Sequence, residues 1–284
     1  MELSLTVTLI AATAAVLHAS WNAVAKSVTD KRRLYLVSNL VVGTIGLAAL
    51  PFVDPPAPAS WPYIAAGSVI ATLFTIVLFA AYRVGDLSQI YPTIRGLTPI
   101  MIATGAALFA GEHLSPRQYA GIAIVSLGIF SLALWRGAGG MSLRMVAFCT
   151  LGAAMISGYT VVDGLGVRLS GSVAGYVAWL LVGYMTVAVI TYPLLKPWKM
   201  DGAPLQFGRG VLVGLGISVT YGLIVWALSM GTMAPVSALR ETSIILAALI
   251  GTLVLGEPFG RSRIVAAAVV TLGLLVLKLP LPFE

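Results

Sequence analysis

The chain has 284 residues, of which 59% are hydrophobic and only 10% charged, with a mean hydropathy of +0.98. No soluble core could hide that much apolar surface, so a water-soluble domain is excluded. The net charge of +7 does not point to nucleic acid, because the basic residues sit in short loops between apolar runs.

In chain order the hydropathy pattern predicts ten spans: 4–25, 34–53, 61–82, 88–110, 118–135, 143–162, 173–195, 210–231, 235–255 and 262–279. A helix needs about 20 residues to cross a hydrocarbon layer of roughly 30 Å. The short period-two runs of a transmembrane barrel are missing. The first span has no basic residue before it and is too long for the apolar region of a signal peptide. Cys149 is the single cysteine, which excludes an internal disulfide and a cysteine metal cluster. The expected class is an all-α membrane protein.

Loop charge predicts the orientation. Loops after the odd-numbered spans hold twelve basic residues, Lys26 to Arg33, Arg83, Arg136 and Arg144 among them, whereas the other side holds Arg117, Arg168 and Lys278. Basic loops favour the cytoplasm, so both termini are expected outside it. A bacterial inner (plasma) membrane is the expected location.

The two remaining basic residues lie within spans. Tyr91-Pro92-Thr93-Ile94-Arg95-Gly96 runs on to Gly111-Glu112, and Val236-Ser237-Ala238-Leu239-Arg240-Glu241 runs on to Gly256-Glu257. Arg240 follows Arg95 by 145 positions, as Glu257 follows Glu112. The same offset carries Ser126-Leu127-Gly128 onto Thr271-Leu272-Gly273. Residues 1–139 and 140–284 thus read as two five-helix repeats joined around Arg136–Gly140. An odd number of spans forces successive copies to cross in opposite senses, which makes them inverted repeats, a construction common among secondary transporters.

With these motifs the chain resembles the EamA branch of the drug/metabolite transporter superfamily over essentially its whole length. The twice-five layout and the Gly-Glu pairs before the fifth and tenth spans carry the resemblance. His18-Ala19-Ser20-Trp21-Asn22-Ala23 with Lys26, and Gly85-Asp86-Leu87-Ser88-Gln89-Ile90-Tyr91-Pro92, are similar to a bacterial subgroup. The resemblance implies membrane transport of a small metabolite, and several such relatives are amino-acid or metabolite exporters. Relatives often carry their positive charge after the second span, whereas this chain carries it after the first, so the orientation rests on the chain's own loop charges.

An Arg near the middle of a membrane helix costs roughly 2.5–3.5 kcal/mol on insertion scales. Arg95 enters about seven residues into its span, about 10 Å deep, and Arg240 is equivalent from the opposite face. Two readings stand: each guanidinium snorkels or bonds freed backbone, or each faces a central cavity and grips carboxylate or phosphate with its planar fork. Glu241 has Gly96 as its counterpart, and either forms a structural ion pair or binds a substrate ammonium or a proton. His18, Trp21, Asn22 and Lys26 share an arc of roughly 140° on the first span. His18, Trp21, Asn22 and Tyr91 join Arg95, Arg240 and Glu241 as candidate substrate-binding residues. Packing is the competing reading for each. Asp163 reads as an interface residue, and Trp226 and Tyr221 as inner aromatics. Pro92, Pro99 and Pro235 are expected to break the fourth and ninth helices near the Arg residues. Gly111-Glu112 is expected to form a turn in which Glu112 caps helix amides, followed by Ser115-Pro116 as the next helix start.

No His-Glu-x-x-His, Gly-x-Ser-x-Gly or Gly-Lys-Ser/Thr loop is present, which argues against an enzyme and against ATP as the driving force. The sequence predicts a non-enzymatic secondary transporter of small polar metabolites, amino acids or related zwitterions and organic anions, working by alternating access, with export favoured. It needs no cofactor and no metal. Its partners are the substrate, the bilayer and, in some coupling schemes, protons or another ion, with no nucleic acid. It acts as a monomer or homodimer. A carrier or flippase for a phosphorylated or lipid-linked sugar, and a non-transporting receptor or scaffold, are the alternatives.

Overall fold

Short polar residues start the helices where the apolar runs begin. Ser4 accepts from the Val7 amide at 3.2 Å, Asp30 from Arg33 at 2.9 Å, Ser142 from Met145 at 3.2 Å and Ser172 from Gly175 at 3.0 Å. Each satisfies one of the amides that a helix N-terminus leaves unbonded. At Ser115 the exchange is reciprocal: its hydroxyl accepts from the Gln118 amide at 3.3 Å, and Gln118 Oε1 accepts from the Ser115 amide at 2.8 Å. Gly111 (φ 61°) ends the preceding helix in the left-handed conformation that glycine adopts without steric cost. The expected turn and helix start are both present.

The computed structural model describes residues 4–85, 87–135, 141–195, 206–246 and 261–278. These form α1 (Leu5–Ser27), α2 (Lys31–Ala49), α3 (Trp61–Ala81), α4 (Leu87–Ala110), α5 (Pro116–Trp135), α6 (Leu143–Leu169), α7 (Val173–Thr191), α8 (Phe207–Met230), α9 (Met233–Arg240) and α10 (Arg261–Lys278). No strand occurs among the described residues. Seven helices, α1 to α4 and α6 to α8, are long and apolar enough to cross a membrane. The chain is therefore an all-α, multi-pass membrane protein. The linker around 136–140, residues 247–255 of the ninth span and Gly256-Glu257 lie outside the described residues.

Helices pair in a definite pattern. α1 lies against α8 and α3 against α6; α2 lies against α7 and α8; α4 lies against α5, α6 and α9; and α5 lies against α10. Small residues set the closest approaches. A Cβ at Gly128 would stand 3.0 Å from Val270, and one at Gly273 would stand 2.7 Å from the Val125 amide nitrogen. On α8 the ridge of Gly210, Gly214 and Ser218 faces α2, with Gly214 against Val41 and the Ser38 carbonyl. The outward surface is apolar: Leu108 (73% exposed), Phe109 and Leu143 would be untenable in water and are suited to lipid.

Three expectations are corrected. α4 runs unbroken through Pro92 and Pro99. Each missing amide removes one backbone bond, and Thr93 and Thr98 add side-chain bonds to the carbonyls of Gln89 (2.7 Å) and Ile94 (2.8 Å) over the same turns. Pro235 also breaks nothing, because it falls in the first turn of α9, where its missing amide is free of cost. α6 continues to Leu169, seven residues past its expected end, so Asp163 is interior and not interfacial.

Glycine contacts give a direct test. Gly214→Ala forces backbone apart, since its Cβ would meet Val41 Cβ at 2.7 Å and Ser38 O at 2.8 Å, whereas Gly222→Ala meets nothing nearer than Val177 at 3.6 Å. The first should lower the thermal midpoint in detergent, by the equivalent of about 1–3 kcal/mol. The second should be neutral or stabilising by up to ~1 kcal/mol. Equal responses would contradict the close α2–α8 contact.

Candidate functional site

The bundle centre collects the charges that the apolar spans carry. α4 supplies Arg95 and, one turn earlier, Tyr91, whose ring lies 5.8 Å from the guanidinium carbon. α9 supplies Arg240 and ends there: Glu241 is its C-cap, and the amides of Thr242, Ile244 and Ile245 reach back three residues to the carbonyls of Leu239, Glu241 and Thr242. The ninth span is thus interrupted by a tightened turn at the charged residues themselves. That turn sends Glu241 between the two guanidinium groups. Its Oε2 stands 2.9 Å from Arg95 Nε and its Oε1 stands 3.9 Å from Arg240 Nη2.

Burial at this point is nearly complete. Arg95 and Arg240 are each 4% exposed and Glu241 is 0% exposed. Yet, among the described residues, Nε and Nη2 of both arginines and both Glu241 oxygens lack a hydrogen-bond partner of proper geometry. The ion pairs are close but misdirected, so charge is compensated while directional bonding capacity is unused. Two guanidinium groups against one carboxylate leave a surplus positive charge in the buried interior. Polar groups in such surroundings are costly unless something bonds them.

α1 forms one wall. The His18 and Trp21 rings meet edge to face at 4.8 Å, and their Nε2 and Nε1 atoms are buried without partners. His18 lies within electrostatic range of both arginines. Trp21 rests on α8 where Gly216 removes a side chain. Asn22 is turned back on its own helix, with Nδ2 donating to the His18 carbonyl at 2.8 Å. Of the seven expected site residues, Arg95, Arg240, Glu241, Tyr91 and His18 are brought together, and Trp21 adjoins them. Asn22 is half-buried and spends one of its two amide hydrogens on its own helix.

Two further buried constellations escaped the sequence reading. In the first, Asp163 of α6 (0% exposed) accepts from the Tyr176 hydroxyl of α7 at 3.1 Å and from the Tyr221 hydroxyl of α8. Tyr184 and Tyr159 stack around Tyr221 at 5.4 and 6.1 Å. In the second, Glu112 pairs with Arg168 at 2.7 Å and accepts from the Met233 amide at 2.8 Å, which caps α9. Arg168 also donates to the Leu228 and Gly231 carbonyls at the end of α8. The capping role expected of Glu112 is present, on a helix far away in sequence. The signal for Asp163 was available, since an acidic residue inside an apolar run carries the same cost as Arg95. Trp226, expected among the inner aromatics, is 45% exposed on the outer face of α8.

No group of three or more His, Cys, Asp or Glu suited to a metal occurs among the described residues. No family model and no curated protein matches the chain. Among solved structures, one crystal structure aligns over 95% of this chain and 94% of its own, with a TM-score of 0.72 and 18% identity. The two share a fold at nearly full length.

The central charges should respond as a unit. Glu241→Gln leaves two buried guanidinium groups facing each other and should destabilise by about 3–5 kcal/mol. Adding Arg95→Gln restores the balance and should recover much of that loss in a detergent melting series, a coupling that additive behaviour of the two substitutions would refute.

Proposed function

We propose that the chain is a secondary transporter of a small polar metabolite bearing an anionic group, an amino acid or a related organic anion, and that it works by alternating access. The observation that carries this reading is the unsatisfied guanidinium pair. Arg95 and Arg240 are almost wholly buried, carry net positive charge with Glu241, and hold N–H groups without a hydrogen-bond partner among the described residues. A bidentate anion matches both the charge and the directional donors. A scaffold needs no such surplus, and charges inside membrane bundles generally mark substrate or ion pathways.

The architecture in this proposal is ten spans in two inverted five-helix halves. Exchanging α1 with α6, α2 with α7, α3 with α8, α4 with α9 and α5 with α10 turns the α1–α8 contact into α6–α3, and α2–α8 into α7–α3. The same exchange maps α4–α6 onto α9–α1 and leaves α2–α7, α4–α9 and α5–α10 unchanged. Residue contacts follow suit. Gly128 meets Val270 and Gly273 meets Val125, and each glycine and each valine is separated from its counterpart by 145 positions. The resemblance to the EamA branch of the drug/metabolite transporters agrees with this reading, as does a charge centre lying where α4 crosses α9. The fully covered arginines correspond to an occluded state, from which rocking of the halves would open the centre to one side and then the other.

Amino acids, organic anions and sugar phosphates added to purified protein should raise its thermal midpoint selectively, because a ligand of the folded state stabilises by mass action. In liposomes, a stabilising compound should exchange without ATP. Arg95→Lys and Arg240→Lys, which keep charge and lose the fork, should each slow that exchange by about tenfold or more, with melting near the parent's. Normal exchange in both would remove the arginines from the pathway.

Both termini outside the cytoplasm is the proposed orientation, in a bacterial inner membrane. In a Cys149→Ala background, Ala59→Cys should react with an impermeant thiol reagent in intact cells and Thr29→Cys should not. Both positions are exposed, whereas neighbouring Ser60 is buried and unsuitable. The opposite labelling pattern would invert the assignment.

A further inference from the structure

The unusual group outside the arginine centre is Asp163. It sits in the second half of α6, where α3, α7 and α8 meet it. Gly67 of α3 leaves room for its carboxyl, and an added Cβ there would collide with Asp163 Oδ1. Tyr176 of α7 and Tyr221 of α8 each donate to one of its oxygens. The next residue, Gly164, seats Met233 of α9. The remaining titratable groups around it are tyrosines: Tyr63 of α3 beside Gly166 and Tyr176, Tyr184 of α7, and Tyr159 of α6 itself. α4 contributes Gly105 against Val161, with no charge. Arg168, five residues on, is committed to Glu112 and to the end of α8. No ion pair to Asp163 exists among the described residues.

Resting on the transporter reading, we propose that Asp163 is a proton-binding site that couples the central site to the proton gradient. A carboxylate without a cation in an apolar bundle is expensive to maintain, and one proton cancels its charge in place. The surroundings can receive that proton without opening an unsatisfied bond. When Asp163 gains a hydrogen on Oδ2, it donates to the Tyr221 oxygen, and the Tyr221 hydrogen must turn to another acceptor. The Tyr184 hydroxyl, buried and without a hydrogen-bond partner among the described residues, belongs to a ring whose centroid lies 5.4 Å from that of Tyr221 and offers that acceptor. Deprotonation reverses both rotations. The link to the substrate is Tyr159. It stacks on Tyr221 and lies within electrostatic range of Asp163 on one side and of Arg95, Arg240 and Glu241 on the other. α8 carries Tyr221 and also seats Trp21 of the central wall at Gly216, so movement of α8 changes both sites together.

Infrared difference spectra of the purified protein across a pH series test the site with the proton itself as ligand. The wild type should show the carbonyl stretch of a neutral carboxylic acid that appears on acidification, and Asp163→Asn should lack that component. A spectrum unchanged by Asp163→Asn overturns the proposal. Should Asp163→Asn fail to fold, Tyr221→Phe decides. It keeps the carboxyl and removes one donor, so the band's midpoint must move, and an unmoved midpoint overturns the proposal. For coupling, liposomes with an entrapped pH dye are given labelled glutamate, alanine or lactate. Proton movement should accompany net uptake in the wild type and be lost in Asp163→Asn, and net uptake without proton movement in the wild type overturns the coupling. The infrared arm needs no transported substrate. Failure of the carrier reading therefore registers as absent flux, and failure of the proton site as an absent Asp163-dependent band.

Discussion

A guanidinium group in a hydrocarbon-bounded bundle must find a counter-charge, and that constraint organises the centre of this protein. Arg95 and Arg240 cannot reach water past the helices that cover them. Glu241 is the acidic group that stands between them, and α9 has to stop at Arg240 for it to do so. The turn at 240–242 and the seating of α4, α9 and α1 around one point therefore belong to a single electrostatic solution. Among the described residues the solution is incomplete by one charge and several hydrogen bonds.

The other buried polar groups divide the remaining work. Glu112 and Arg168 tie the end of α4, the end of α6 and the corner between α8 and α9 into one knot at a single end of the bundle. Both members bond helix termini, so they satisfy backbone groups as well as each other. Asp163 does the reverse. It bonds side chains only, from the first turn of α7 and the interior of α8. The contrast separates groups that fix helix ends from one that joins side chains between helices.

Between these polar points the bundle is held by fit. Lipid offers apolar side chains much the same environment as a protein interior, so helix association relies on close approach and on hydrogen bonds. Gly121, Gly128 and Gly273 let α5 and α10 meet at backbone distance, and Gly210 and Gly214 do the same for α8 on α2. The exposed Leu, Ile and Phe side chains face outward because nothing in a bilayer penalises them there.

Hydrophobic run length alone determined that this is a helical membrane protein, because the thickness of a bilayer sets the length of a helix that crosses it. The 145-residue offset, and the cost of an Arg inside an apolar run, marked Arg95, Arg240 and Glu241 as the residues to watch. Helix starts at Ser115 and the turn at Gly111 were equally legible, since caps are local chemistry. Whether a proline breaks a helix was not legible. Pro92 and Pro99 sit in an unbroken α4, and the interruption of the ninth span falls at charges and not at Pro235. Nor did sequence distance reveal that Asp163 meets Tyr221, or that Glu112 caps α9 121 residues away. Those partners are chosen by which helices cross and at what height, and that is decided by packing across the whole bundle, where residues far apart in sequence compete to satisfy the same buried groups.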